Sequence, residues 1–164
     1  KEPVYEHEVC QTDYYDKHRK ELLDILNKTD YKIAKLENGE RLPIDQYYQK
    51  MASSKIILAP LGYGEMAPRD IESAIFGSVL VKPDLSYIDS KPFIFEDNET
   101  YIPVNYDWSN LKEKIDYILT NYEEVRQKLV SNMTEKFKKL NKSENLALHL
   151  YELFSKLDGV ETDE

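Results

Sequence analysis

Two glycines, Gly62 and Gly64, stand a few residues ahead of an arginine and a glutamate, Arg69 and Glu72. Glycines at this spacing let the backbone approach a ligand closely and adopt positive φ. A loop of this kind ahead of a helix presents free N–H groups, and the helix dipole adds positive potential. Both favour an anion, most simply a diphosphate. Arg69 can pair with phosphate oxygens, and a carboxylate at Glu72 can accept hydrogen bonds from two ribose hydroxyls. The same residues have a plainer reading. Glycine pairs also occur in ordinary tight turns, Asp70 and Glu72 suit a helix start without any ligand, and Arg69 can pair with Glu65 or Glu72.

The elements that position these residues read as strand, glycine loop, helix, strand between Lys55 and Pro83. Lys55–Ala59 and Ser78–Val81 are apolar runs without alternation, the pattern of strands buried on both faces. Pro68 fits the first position of a helix over Pro68–Phe76. Its spacing puts Arg69, Glu72 and Phe76 on one face and Ile71, Ala74 and Ile75 on the buried face. In such a βαβ unit the ligand lies at the carboxyl ends of the strands, beside the helix N-terminus.

The flanking chain extends the alternation. A short strand is expected over Val4–Val9, then a helix over Tyr14–Asn27 capped by Gln11-Thr12-Asp13, with Tyr15, His18, Leu22, Ile25 and Leu26 on one face. Tyr31–Leu36 alternates as a strand does, and Pro43 opens a helix carrying Ile44, Tyr47, Tyr48 and Met51. Beyond Pro83 the chain reads as loop, with Phe93–Phe95 briefly extended. Tyr101–Val104 is a strand whose proline suits a sheet edge. Helices follow from an Asp107 cap through Leu111–Leu119, from Tyr122 through Leu140, and from a Ser143 cap through Leu157. The fold class is therefore α/β: a Rossmann-like parallel sheet with helices on both faces and extra C-terminal helices. Residues 1–157 form one domain, and 158–164 an acidic, frayed tail.

Composition narrows the function classes. The 164 residues carry a formal net charge of −9, which argues against a nucleic-acid partner. One cysteine, Cys10, and three scattered histidines, His7, His18 and His149, have no zinc spacing. These residues offer no zinc site; no metal and no cofactor are expected, a reading that rests on the family resemblance given below rather than on composition. No apolar run approaches the roughly 20 residues of a membrane span. The charged start at Lys1 has no signal-peptide character, and the sequence reads as an excised or internal domain. A cytoplasmic location is expected over a secretory lumen, although Asn27, Asn98, Asn132 and Asn141 open N-x-S/T triplets.

Several motifs in order are similar to one family. Ser54–Pro60, Gly62-Tyr63-Gly64 and Arg69-Asp-Ile-Glu72-Ser-Ala-Ile-Phe-Gly77-Ser-Val-Leu-Val81 resemble the donor-binding half of GT-B glycosyltransferases, most closely the exostosin-like and family 1-like branches. Tyr14-Tyr15 through Leu22-Leu23 resembles the first helix of that domain. Tyr101–Val104 with Trp108, Leu111 and Ile115 resembles its late strand and helix. The similarity covers about residues 14–130. It implies a nucleotide-diphosphate sugar as donor, bound without a metal, and a glycan or other acceptor. It also implies a second Rossmann-like domain as partner. Glu72 would hold the ribose, and Arg69 with the Gly62–Gly64 backbone would face the diphosphate and sugar. The turn from Gly39 to Ile44 would lie near the base. Gly64 stands eight positions before Glu72, where retaining members often carry a glutamate, and Glu65 is one step out of register. The alternative is a non-catalytic α/β nucleotide-binding or protein-interaction module.

Three further residues join the candidate site. His18 and Arg19 could approach phosphates from the first helix, although a helical histidine is more often a packed residue. Tyr63, flanked by glycines, could pack on a base or sugar. The complete set is Gly62, Tyr63, Gly64, Glu65, Arg69, Glu72, His18 and Arg19.

Overall fold

The computed structural model describes residues 7–34, 42–62, 64–88 and 94–142. Eight elements follow in order: α1 (His7–Leu26), α2 (Ile44–Ala52), β1 (Ile56–Leu58), α3 (Pro68–Ile75), β2 (Val79–Pro83), β3 (Ile102–Val104), α4 (Leu111–Thr120) and α5 (Tyr122–Leu140). The three strands form a parallel sheet in the order β1-β2-β3. Register pairs Ile57 with Leu80 and Lys82 with Pro103. Pro103 thus lies on an outer strand of the described sheet, where a missing N–H is tolerated.

Every residue of β2 is buried, which is why its sequence does not alternate. Its side chains divide between two cores. Val79 and Val81 join Leu22 and Leu26 of α1, Ile102 and Val104 of β3, Leu111, Ile115 and Ile118 of α4, and Val125 and Leu129 of α5. Leu80 points the other way, to Ala74 of α3, Leu85, Phe95, Tyr101 and Met133. The sheet is therefore covered on both faces, as expected of a Rossmann-like α/β layer. Because Val125 and Leu129 of α5 enter one core and Met133 the other, that helix ties the two faces together. Each fully buried aliphatic side chain contributes about 1.5–3 kcal/mol relative to exposure.

Four expectations differ. The strand expected over Val4–Val9 is helical in its described part: His7–Val9 begin α1, and residues 1–6 lie outside the described residues. No proline or glycine interrupts residues 7–26, so Gln11-Thr12-Asp13 is helix interior rather than a cap. Tyr31–Ala34 has no ladder partner, while Lys35 and Leu36 lie outside the described residues. Its alternation is used for packing instead. Tyr31 and Ile33 lie against the first core, and the Tyr31 hydroxyl donates to the Asp116 carboxylate on α4. Asp107 does not cap α4. It accepts the Ser109 N–H at 3.0 Å in a local turn, and Asn110 holds the cap position. The Phe93 end of the expected extended segment and the whole Ser143–Leu157 helix lie outside the described residues.

The buried face of α3 also differs. Asp70, Ser73 and Ala74 are buried, whereas Ile75 is 66 % exposed. Gly77 ends that helix at φ +73, where the Arg126 Nε–H donates to its carbonyl at 2.8 Å. The positive φ favours glycine there, and an added Cβ would only have to displace the end of the Arg126 side chain, 2.8 Å away.

Candidate functional site

Parallel pairing sends the carboxyl ends of β1, β2 and β3 to one edge of the sheet. Three connections begin there: the glycine loop after β1, the turn after Pro83, and the Asn105–Asn110 turn after β3. Consecutive residues of α1 reach two of them. Arg19 lies against Gly62, and His18 contacts Tyr106.

The glycine loop is pinned from below. The Lys82 ammonium on β2 donates to the Glu65 carbonyl at 2.5 Å and to Asp70 Oδ2 at 2.5 Å. The same Asp70 oxygen accepts the Ala67 N–H at 3.0 Å, closing the first turn of α3. Both charged side chains are 1 % exposed. Burial pulls the Lys82 ammonium down from its ordinary value, and Asp70 opposes that shift. Lys82 also lies 4.9 Å from the centre of the Phe95 ring. The loop thus has its shape fixed by one buried ion pair, which belongs to the scaffold rather than to a ligand.

Gly62 and Gly64 serve differently from each other. Neither has the positive φ expected from sequence. At Gly62 a Cβ would come 3.3 Å from the Arg19 guanidinium, so the missing side chain admits that arginine. At Gly64 a Cβ would meet nothing closer than the Met66 carbonyl at 4.0 Å. Pro68 occupies the first position of α3, and Arg69 follows in the first turn, half-buried. Glu72 is held from α2: the Tyr47 hydroxyl donates to Glu72 Oε2 at 2.8 Å. Burial, reinforced by that carboxylate, pushes the Tyr47 phenol up to about 12. It therefore remains a donor at neutral pH. Tyr48 beside it contacts the Phe76 ring at 5.1 Å, which locks α2 onto α3.

His18 is directed elsewhere. Its Nε2–H donates to the Tyr106 carbonyl at 3.0 Å, and its ring stacks on Trp108 at 4.5 Å. The Trp108 indole N–H returns a hydrogen bond to the His18 carbonyl at 3.2 Å. These contacts bolt α1 to the turn after β3, with Trp108 held at φ +60. Burial lowers the His18 pKa from 6.5, while the Tyr106 hydrogen bond and Glu21 act against it. A depressed pKa means the unfolded chain binds the proton more readily. Stability is then complete above about pH 6.5 and is lost as pH falls through the folded value. We expect the unfolding midpoint to drop between pH 7 and 5, and His18→Gln to flatten that slope. An unchanged slope in His18→Gln, followed by urea unfolding across that pH range, would exclude His18 as its source.

The β2 and β3 ends of the same edge border a shallow, open depression lined by Asp84, Tyr87, Asn105, Tyr106 and Asp107. Asp84 accepts the Ser86 N–H at 2.8 Å and the Ser86 hydroxyl at 2.9 Å. The Ser109 hydrogen bonds hold Asp107 below its ordinary value, so it is ionised and accepts only.

No protein-family model matches this chain, and no curated protein matches it.

Of the residues expected from sequence, the structure brings Arg19 onto Gly62 and places Arg69 and Glu72 on the helix that the loop leads into. Glu65 contributes its carbonyl to Lys82, while its side chain is exposed. Tyr63 lies outside the described residues. Lys82, Tyr47 and Trp108 were not foreseen. Lys82 carried a usable signal: a lysine inside an otherwise apolar run must find a buried partner, and Asp70 stands twelve residues earlier on the preceding helix. Among the described residues, no group of three or more His, Cys, Asp and Glu side chains could hold a metal ion. No described helix is long and apolar enough to cross a membrane.

Proposed function

We propose that this chain is the donor-binding domain of a GT-B-like glycosyltransferase. It holds a nucleoside-diphosphate sugar at the carboxyl edge of its sheet, for transfer to a glycan or other acceptor with a second Rossmann-like domain. The observation that carries this reading is the placement of Arg19 against Gly62, at the loop that feeds the N-terminus of α3. A diphosphate there meets backbone N–H groups, the positive end of the helix dipole, and the Arg19 and Arg69 guanidiniums. Glu72, fixed by Tyr47, presents its remaining acceptor sites to the ribose hydroxyls. The sheet's layering and the ordered sequence motifs support the same assignment.

The test is a thermal-shift panel of UDP, GDP, ADP and CMP. A ligand present at about a hundredfold over its dissociation constant adds about 2.7 kcal/mol to stability. One diphosphate should raise the melting temperature without added metal. No shift with any of the four would overturn the reading.

A further inference from the structure

Four N-x-S/T triplets occur in a chain with nine asparagines and sixteen serines and threonines. That composition would give about one by chance. The structure separates two of them by what the asparagine amide is doing. Asn132 lies within α5, and its Nδ2 donates to the Glu99 carbonyl at 3.0 Å and to Glu99 Oε2 at 3.1 Å. That amide nitrogen is already occupied. Asn98 is the opposite case. It is exposed in a turn and held at φ +57, a conformation that asparagine tolerates better than most residues. Among the described residues, nothing hydrogen-bonds to its side-chain amide. The turn around it is nevertheless firm. Thr100 Oγ1 accepts the Glu96 N–H at 2.7 Å, and Lys128 of α5 pairs with Glu99 at 2.6 Å. The turn leads straight into β3, so it lies at the amino edge of the parallel sheet, opposite the glycine loop.

We propose that Asn98 is the acceptor of an N-linked glycan. Asn98-Glu99-Thr100 supplies the amide nitrogen and, two residues on, the hydroxyl that such an acceptor needs. The donor is an oligosaccharide carried on a lipid diphosphate, and an oligosaccharyltransferase of a secretory lumen makes the transfer. Asn98 Nδ2 forms a bond to the anomeric carbon, and the bond from that carbon to the diphosphate oxygen breaks. The lipid diphosphate leaves with the electron pair, and one Nδ2 proton passes to a base of the enzyme. Thr100 is 2 % exposed, so the triplet is read before the turn closes. The folded turn then holds the bulky, solubilising glycan on the surface, clear of the glycine loop. A glycan on Asn132 would instead take two hydrogen bonds from Glu99 and hold the turn away from α5. The proposal places the chain in a secretory lumen, which revises the cytoplasmic location expected from sequence. It does not depend on nucleotide binding.

The experiment is mass spectrometry on the full chain from two sources: the cells that naturally make it, and eukaryotic cells that secrete it behind a cleavable leader. Peptide:N-glycosidase in heavy-oxygen water converts a glycan-bearing asparagine to a labelled aspartate. Asn98 should carry the label in both sources, at higher occupancy than Asn132. Asn98→Gly should remove one glycan-sized step from the mass of the secreted chain. Glycine accepts the positive φ at this turn, so that variant keeps the fold. Its urea midpoint, and that of the enzymatically deglycosylated chain, should match the glycosylated protein. The proposal is overturned if Asn98 is unlabelled in either source, or if it is labelled no more than Asn132. It is also overturned if Asn98→Gly leaves the mass of the secreted glycoprotein without a lost step.

Discussion

Lys82→Met destabilises this protein by about 3–5 kcal/mol, and Asp70→Asn does so by a comparable amount, because each leaves the other member of a buried pair uncompensated. Against a total of about 5–15 kcal/mol for a typical domain, either loss is large. The double variant Asp70→Asn/Lys82→Met should recover much of it. No charge is then left buried, and the asparagine oxygen can still accept the Ala67 N–H. Urea unfolding of the four chains forms a double-mutant cycle. A double variant less stable than either single one would show that the pair contributes through more than mutual compensation. The pair has a second consequence at the site. Without Lys82 the Glu65 carbonyl loses its donor, so the double variant should bind nucleotide more weakly even where its stability returns.

The second large effect is on binding. Glu72→Ala should weaken nucleoside-diphosphate affinity by about 1.5–3 kcal/mol, the cost of losing hydrogen bonds to a charged acceptor. Tyr47→Phe should cost less, about 0.5–1.5 kcal/mol, because it frees Glu72 to reorient without removing the carboxylate. That ranking separates a ligand-binding glutamate from a structural one. If Glu72 served only to receive the Tyr47 hydroxyl, both variants would lose stability together and nucleotide affinity would not change in either. Calorimetric titration beside urea unfolding distinguishes the two.

The sequence made the sheet legible where burial dictates composition. Val79–Val81 are apolar throughout because β2 is covered on both faces, and Pro103 pointed to an outer strand, whereas the equally apolar Ile56–Leu58 forms a strand with only Ile57 buried. Pattern failed where one residue type answers to two geometries. Tyr31–Ala34 alternates as a strand would, yet its apolar residues reach the core from an irregular segment, helped by a hydrogen bond to α4 eighty-five residues away. Ile75 looked like core from its type, but the buried row of α3 runs through Asp70, Ser73 and Ala74. That row follows the ion pair with Lys82, a contact no helical periodicity encodes.

The site was legible to a similar degree. Residues adjacent in sequence were found together: Gly62, Gly64, Arg69 and Glu72 form one loop and helix start. Arg19 was also anticipated at this edge, though from resemblance and residue type rather than from local pattern. His18, its neighbour, turns to Trp108 and the Tyr106 carbonyl instead. Successive helical residues point about 100° apart, so neighbours in sequence diverge in space. Tyr47 was out of reach of the sequence. Its partnership with Glu72 depends on how α2 lies against α3, which tertiary packing alone decides.

The central claim is that a nucleoside diphosphate binds where the glycine loop enters α3. Amide NMR shift mapping on the full chain tests it most directly, with UDP, GDP and ADP added in turn. At least one should move the amides of Gly62, Gly64 and Arg69–Glu72 saturably, and the Asp107–Ser109 turn much less. Saturable shifts confined to other parts of the chain, or none with all three nucleotides, would contradict it.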